Sequence, residues 1–194
     1  MIQQYEMIIR EKLDDFRYHH SLCVAKEAVR LADKYGADSQ KAYIAGMLHD
    51  ITKNFTEKEH LQLLERFGII LSEIDKTSPN LYHAITGSLY AEKILGINDS
   101  EIISAIRFHT TAREKMSLME KVIYLADFTS EDRNYEDVDI MRKLVDQDMN
   151  DAMLYSLKYT ITDLVNKGCA VHPDTLFAYN AVVKRLKKGD VNSK

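Results

Sequence analysis

The chain reads as all-helical, and three observations lead there. Only 7 of its 194 residues are Gly and 2 are Pro, too few breakers for the many turns of a sandwich or barrel. Apolar residues recur at steps of three and four along most of the chain, the period of a helix with one buried face. Each run with strand character is short and has no partner run. The 45% hydrophobic content is enough to bury one core at this length. No repeat, low-complexity tract or linker divides the chain, so residues 1–194 are expected to form one domain.

Taken in order, helices are expected near 2–14, 18–35, 38–50, 56–67, 80–95, 99–109, 116–128, 148–167 and 173–187, with ends good to a few residues. The second carries a stripe of His20, Val24, Ala28 and Leu31 and stops at Gly36. Asp38 opens the third, Thr56 the fourth and Asp99-Ser100 the sixth, each a good cap. Gly68 and Gly96 end the fourth and fifth, and Ser78-Pro79-Asn80 leads into the fifth. The polar segment 128–147, FTSEDRNYEDVDIMRKLVDQ, mixes loop with a short helix. His172-Pro173-Asp174-Thr175 opens the last helix.

Composition excludes several classes. A net charge of −4 gives no footprint for nucleic acid. No apolar run approaches the roughly 18 residues of a membrane span. The opening MIQQYEMIIREKLDD carries acids where a signal peptide needs a basic start. Cys23 and Cys169 match no CxxC pattern, so two free thiols in a reducing compartment are expected. A soluble cytoplasmic protein is expected, with a homodimer left open.

The informative residues are titratable ones on apolar stripes, because a soluble helix turns such residues outward. His20 continues the stripe through Val24 and Leu31, whereas His19 heads a face of Cys23, Lys26 and Arg30 and should look to solvent. His109 ends a stripe through Ile102 and Ile106, and Asp127 follows Met119 and Ile123 at steps of four. His49 follows Ala42 and Ala45, with Asp50 beside it. His83 lies on a mixed face, where Gly87 one turn on would leave open space. One such His is more often a hydrogen-bonded core residue than a ligand, and one inward Asp more often a cap or half an ion pair. Five positions on five helices point instead to a metal site. Neutral imidazoles with carboxylates suit Fe, Mn, Co or Zn rather than Ca or Mg alone. Spacing by itself leaves both readings open.

The order His20, His49-Asp50, Asp127 resembles the H…HD…D signature of the HD superfamily of helical metal-dependent phosphohydrolases. His83 and His109, between HD and the last Asp, resemble the subgroup that holds two metals. RYHHSLCVAKEAVRLA at 17–32, AGMLHDITKN at 45–54, NLYHAITGSLYAE at 80–92, IRFHTT at 106–111, KVIYLADF at 121–128 and AVHPDTLFAYN at 170–180 are similar to the YqeK-like bacterial family. The resemblance implies an HD-domain bundle of about nine to ten helices and symmetrical hydrolysis of diadenosine tetraphosphate to two ADP, with iron bound. It implies that His20, His49, Asp50 and Asp127 hold one metal and Asp50, His83 and His109 a second. The family phrase after the last Asp reads like EPNR; here SEDRN keeps Arg133 without the proline.

Asp50 and Lys53 are the expected catalytic residues, with hydroxide held near Asp50 attacking an inner phosphorus in line. A metal lowers the pKa of bound water to roughly 7, and two metals about 3.5–4 Å apart clamp a bridging phosphate. His20, His83, His109 and Asp127 would touch substrate as well as metal. Arg17, Lys53 and Arg133 flank the ligands in sequence and are either phosphate contacts, with Arg able to bind bidentately, or ordinary surface charge. Thr110, with Thr111, would line the same pocket. His172 and Thr175 belong either to a phosphate- or ribose-binding helix start or to a simple cap. His60 is expected to be a partly exposed helix residue. Two other functions fit the same ligands: another HD reaction, such as a deoxynucleotide 5′-phosphatase or guanosine-tetraphosphate hydrolase, and a nucleotide-binding sensor without turnover.

Overall fold

Eleven α-helices and one 3-10 turn form from this sequence, with no strand among the described residues. The computed structural model describes the backbone of residues 2–192 and the side chains of residues 3–187. The helices are α1 (Ile2–Lys12), α2 (Asp15–Tyr35), α3 (Ser39–Leu48), α4 (Glu57–Arg66), α5 (Glu73–Lys76), α6 (Tyr82–Lys93), α7 (Ser100–Phe108), α8 (Leu118–Thr129), α9 (Val138–Gln147), α10 (Met149–Asn166) and α11 (Pro173–Asn192), with the 3-10 turn at Pro79–Leu81 before α6. All nine expected helices form. The short helix expected within 128–147 is α9, and the excess over ten is α5, a single turn closed by a capping box between Ser72 and Asp75.

Local chemistry sets the boundaries. Asp14, Asp38, Thr56, Asp99, Ser117 and Asp148 each accept a hydrogen bond from an amide of the first turn they precede, which satisfies donors that a helix start leaves free. Gly36 ends α2 in the left-handed region at φ 79°, a conformation that costs glycine nothing.

The centre of the molecule is the packing of α2 on α3 and α8, with α7 against α3, α6 and α8. Its core includes Val24, Ala28, Leu31, Ala45, Leu48, Ile106, Ile123 and Leu125, all fully buried. α1 packs on α3, α4 on α6, and α9 and α10 on α8, with α11 on α10. The tightest approach is α2 to α3. A Cβ on Gly46 would lie 2.8 Å from Ala25 Cα and 3.1 Å from its nitrogen, so only glycine lets these backbones come this close. Gly87 is different from its expected role. Its missing side chain does not open space beside His83; the His49 carbonyl, Ile51 and Ile106 fill it at 3.5–3.6 Å. Cys23 and Cys169 are both free thiols, the first buried and the second exposed. No described helix is long and apolar enough to cross a membrane.

Candidate metal centre

Five helices of the central packing each bring a polar side chain to one place. His20 comes from the first turns of α2, His83 from the start of α6 and Asp127 from the last turn of α8. His49 and His109 are the C-terminal caps of α3 and α7, where the partial negative charge of a helix end favours a cation. Asp50 follows His49 directly. The four imidazoles and Asp50 are at most 4% exposed. Their rings form a row: His20 to His49 at 5.2 Å between centroids, His49 to His109 at 5.0 Å, and His109 to His83 at 5.1 Å. His19, one residue from His20, is exposed as its face predicts, although Cys23 on that face is buried.

Each imidazole has one nitrogen engaged and the other turned inward. His49 Nδ1 donates to the Gly46 carbonyl, His109 Nδ1 to that of Ile106 and His83 Nδ1 to that of Asn80, each at 2.7 Å. His20 Nδ1 pairs with Asp132 Oδ2 at 2.7 Å. Donation from Nδ1 fixes the tautomer in which Nε2 carries the lone pair, the arrangement of metal-binding histidines. His83 Nε2 and His109 Nε2 then face each other at 3.1 Å, with the Lys53 ammonium donating to His83 Nε2 at 3.0 Å. His49 Nε2 and Asp50 Oδ1 are buried without any hydrogen bond, a cost that folding bears only where a ligand satisfies them. Ligand atoms of His20, His49 and Asp50 lie within 4.8 Å of one another, as do those of His49, His109 and Asp127, and those of Asp50, His83 and His109. The residues present therefore fit a divalent metal ion.

The charges around this cluster are balanced. Burial holds His49 down to about 4, so it stays neutral. Burial pushes the Asp50 carboxyl up, but the flanking imidazoles and Lys53 hold it well below the usual carboxylate range. Asp127 is likewise held low against burial, chiefly by Arg133. Three cations ring the carboxylates: Arg17 Nη1 at 3.1 Å from Asp50 Oδ2, Lys53 Nζ at 3.8 Å from Asp50 Oδ1, and Arg133, whose Nη2 bonds Asp127 Oδ1 and whose Nε donates to the Asp127 carbonyl at 2.6 Å. All three sequence-flanking cations thus reach the cluster instead of bulk solvent.

The remaining expected residues line a neighbouring cavity of about 570 Å³, together with Asn80 and Cys169: Thr110, Thr111, His172 and Thr175. The start of α11 is a capped one. His172 Nδ1 accepts from the Asp174 amide at 3.1 Å, and the Thr175 hydroxyl donates to the Thr111 carbonyl at 2.9 Å. These groups shape the cavity wall; Thr110 Oγ1 is buried there with no partner.

Two residues escaped the sequence reading. Asp132 lies in a polar loop with no periodic signal, yet it orients His20 and is itself held by the Ser130 hydroxyl at 2.8 Å. His60 is 6% exposed, buried instead of partly exposed as expected. Its Nδ1 donates to Thr86 Oγ1 at 2.8 Å, because the Thr86 hydroxyl is committed to the Tyr82 carbonyl. Thr52 donates to the His83 carbonyl at 3.0 Å and touches Thr86 at 2.9 Å, so this buried network braces the turn that carries His83. His60 was readable only from the mixed pattern of HLQLLER, which allows either face.

Comparison with known proteins agrees with this geometry. The HD domain family model matches residues 17–132, the span from Arg17 to Asp132 that contains all six clustered His and Asp residues. A Bacillus subtilis protein named symmetrical bis(5′-nucleosyl)-tetraphosphatase is 38% identical over 175 residues, 90% of this chain and 94% of that one. A Staphylococcus aureus protein of the same name is 32% identical, covering 96% of this chain and 98% of its own length. A crystal structure from Clostridium acetobutylicum, described as an HD superfamily hydrolase involved in NAD metabolism, superposes with a TM-score of 0.92 at 37% identity over 95% of this chain and 98% of that one. On its matched span, its helical fold and its ordered set of His and Asp ligands, this chain belongs to the HD-domain family.

Proposed function

We propose that this chain is a metal-dependent phosphohydrolase that splits dinucleoside tetraphosphates symmetrically, diadenosine tetraphosphate giving two ADP. The observation that carries the reading is the set of four imidazoles. Each commits Nδ1 elsewhere and turns Nε2 toward Asp50 and Asp127. The names of relatives aligned over nine-tenths of the chain favour the symmetrical cut. His20, His49, Asp50 and Asp127 would hold one ion and Asp50, His83 and His109 a second, with iron preferred and Mn, Co or Zn compatible with the donors. The bound metal supplies water activated near neutral pH and charge that offsets the phosphates.

The chain supplies the rest. Asp50, poised between both ligand sets, stays ionised and orients the attacking water. Arg17, Lys53 and Arg133 receive phosphate oxygens from three sides, the arginines as planar forks and Lys53 as a point charge. Asp50 and Asp127, which these cations pair with in this structure, would be among the residues that hold the metal. Thr110 Oγ1, unpartnered in its cavity wall, meets a polar group of one nucleoside, and His172 and Thr175 shape that cavity. Residues 1–194 act in this reading as one domain, supported by a continuous core from Tyr5 to Ala178; two free thiols favour a cytoplasmic setting. Metal-loaded protein should convert diadenosine tetraphosphate to ADP alone. ATP with AMP, or free phosphate, sinks the proposal.

A further inference from the structure

A symmetrical dinucleotide carries two nucleosides, and the Thr110 cavity houses one. The row of imidazoles has two ends. The Thr110 cavity opens at the end of His109 and His83, since Thr110 follows His109 and Asn80 accepts from His83. At the other end, beside His20, lies a separate cleft of about 230 Å³ walled by Asp127, Phe128, Arg133, Tyr135 and Tyr159. We propose that this aromatic cleft is a second nucleoside-binding subsite, which stacks the base of the half that the Thr110 cavity does not hold. The inference rests on the symmetrical-hydrolase reading and deepens it.

Two walls of the cleft are also parts of the metal centre. Asp127 is a ligand, and Arg133 Nη2 bonds Asp127 while lying 3.3 Å from His20 Nε2. A polyphosphate held at the cluster therefore reaches the cleft by way of the Arg133 guanidinium. The aromatic walls are set in advance. The Tyr135 hydroxyl donates to the Phe128 carbonyl at 3.1 Å, and the Tyr135 ring packs against Phe128 at 6.4 Å and Tyr159 at 5.4 Å. Tyr159 is half-buried and, with Tyr155 and Asp137, also walls a hollow of about 380 Å³. Rigid rings of this kind stack any base through its π-face.

A third cavity, lined by Lys53, Phe55, Glu57, His60, Asn80 and His83, is the competing location. It shares Pro79 and Asn80 with the Thr110 cavity and so lies at the same end of the row, and it offers one phenyl ring beside a carboxylate. Of these three cavities the Tyr159 cleft is the one beside His20, through Arg133. Phosphates laid along the row between the two cavities place the central bridge over the shared Asp50.

The test compares substrates with two nucleosides and with one. In metal-loaded protein, Tyr159→Ala should lower kcat/KM for diadenosine tetraphosphate by roughly 5- to 150-fold, the worth of one stacked base. The constant for adenosine 5′-tetraphosphate, as substrate or competitive inhibitor, should stay at its wild-type value, and Tyr159→Phe should preserve both. Equal loss on both compounds in a variant with the wild-type melting temperature, or no loss on either, overturns the proposal. A second variant guards against misfolding. The chain has no Trp, so Tyr159→Trp gives a single Trp, excited selectively at its red edge, that diadenosine tetraphosphate should quench on rapid mixing. An unchanged signal at saturation overturns the proposal equally. Failure of the parent reading looks different: the wild-type protein itself would yield no ADP.

Discussion

At the scale of single residues, the direction of each imidazole is decided by what occupies its far nitrogen. For His49, His83 and His109 that partner is a carbonyl three residues back. These histidines are thus oriented by their own local backbone. His20 differs: Asp132, 112 residues away, holds it. Changing Asp132 to Asn keeps the shape and removes the charge, and outer partners of this kind are typically worth 10–100-fold in metal affinity or activity. Competition with a chelator should show metal retention falling by about that factor in Asp132→Asn, with melting of the metal-free protein little changed. Retention at the wild-type level would mean that the Asp132 contact is incidental. His20, His109 and Asp127 were legible because each interrupts an apolar stripe, a conflict that the sequence displays. His83 sits on a mixed face and Asp132 in a loop, so periodicity carries no information about either. His60 was misjudged because its partner, Thr86, is 26 residues away.

At the scale of elements, caps and stops written in neighbouring residues were readable, and tertiary close approach was not. Gly46 and Gly87 look alike in sequence. Gly46→Ala should cost about 1–3 kcal/mol by driving a Cβ into the α2 backbone, near 2–4 °C of melting temperature per kcal/mol at this length. It should also weaken metal binding, because the Gly46 carbonyl orients His49. Gly87→Ala meets only ordinary contacts and should be neutral or slightly stabilising through helix propensity. Thermal melts of the two variants side by side check the contrast. α5 went unread because four residues show no period; its signal is the box between Ser72 and Asp75. Burial raises the Asp75 carboxyl, but hydrogen bonds from Ser72 and the proximity of His172 hold it below its ordinary value. A lowered folded-state pKa stabilises above the unfolded value, near 3.9, and that contribution fades as pH falls through the folded value. Asp75→Asn should therefore lower the melting temperature at pH 7 and narrow its gap from wild type as the pH falls below the unfolded value.

At the scale of the whole molecule, five helices converge on one centre, so metal binding and folding are coupled. The unfolded chain cannot assemble His20, His49, Asp50, His83, His109 and Asp127, which span 108 positions of sequence. An ion present at about 100 times its Kd adds about 2.7 kcal/mol to stability, so chelation should lower the melting temperature by roughly 5–10 °C. The helical class and the ligand order were legible because both are patterns along the chain. The cavities at the two ends of the imidazole row were not, because their walls come from segments distant in sequence, such as Phe128 with Tyr159 and Thr110 with His172.

The most direct test of the metal centre pairs elemental analysis of anaerobically purified protein with turnover of diadenosine tetraphosphate, before and after chelation. One or two first-row ions per chain, ADP formation that disappears with the metal and returns with it, and neither ion retention nor turnover in Asp50→Ala are the expected results. Undiminished ADP formation by fully demetallated protein would contradict the account.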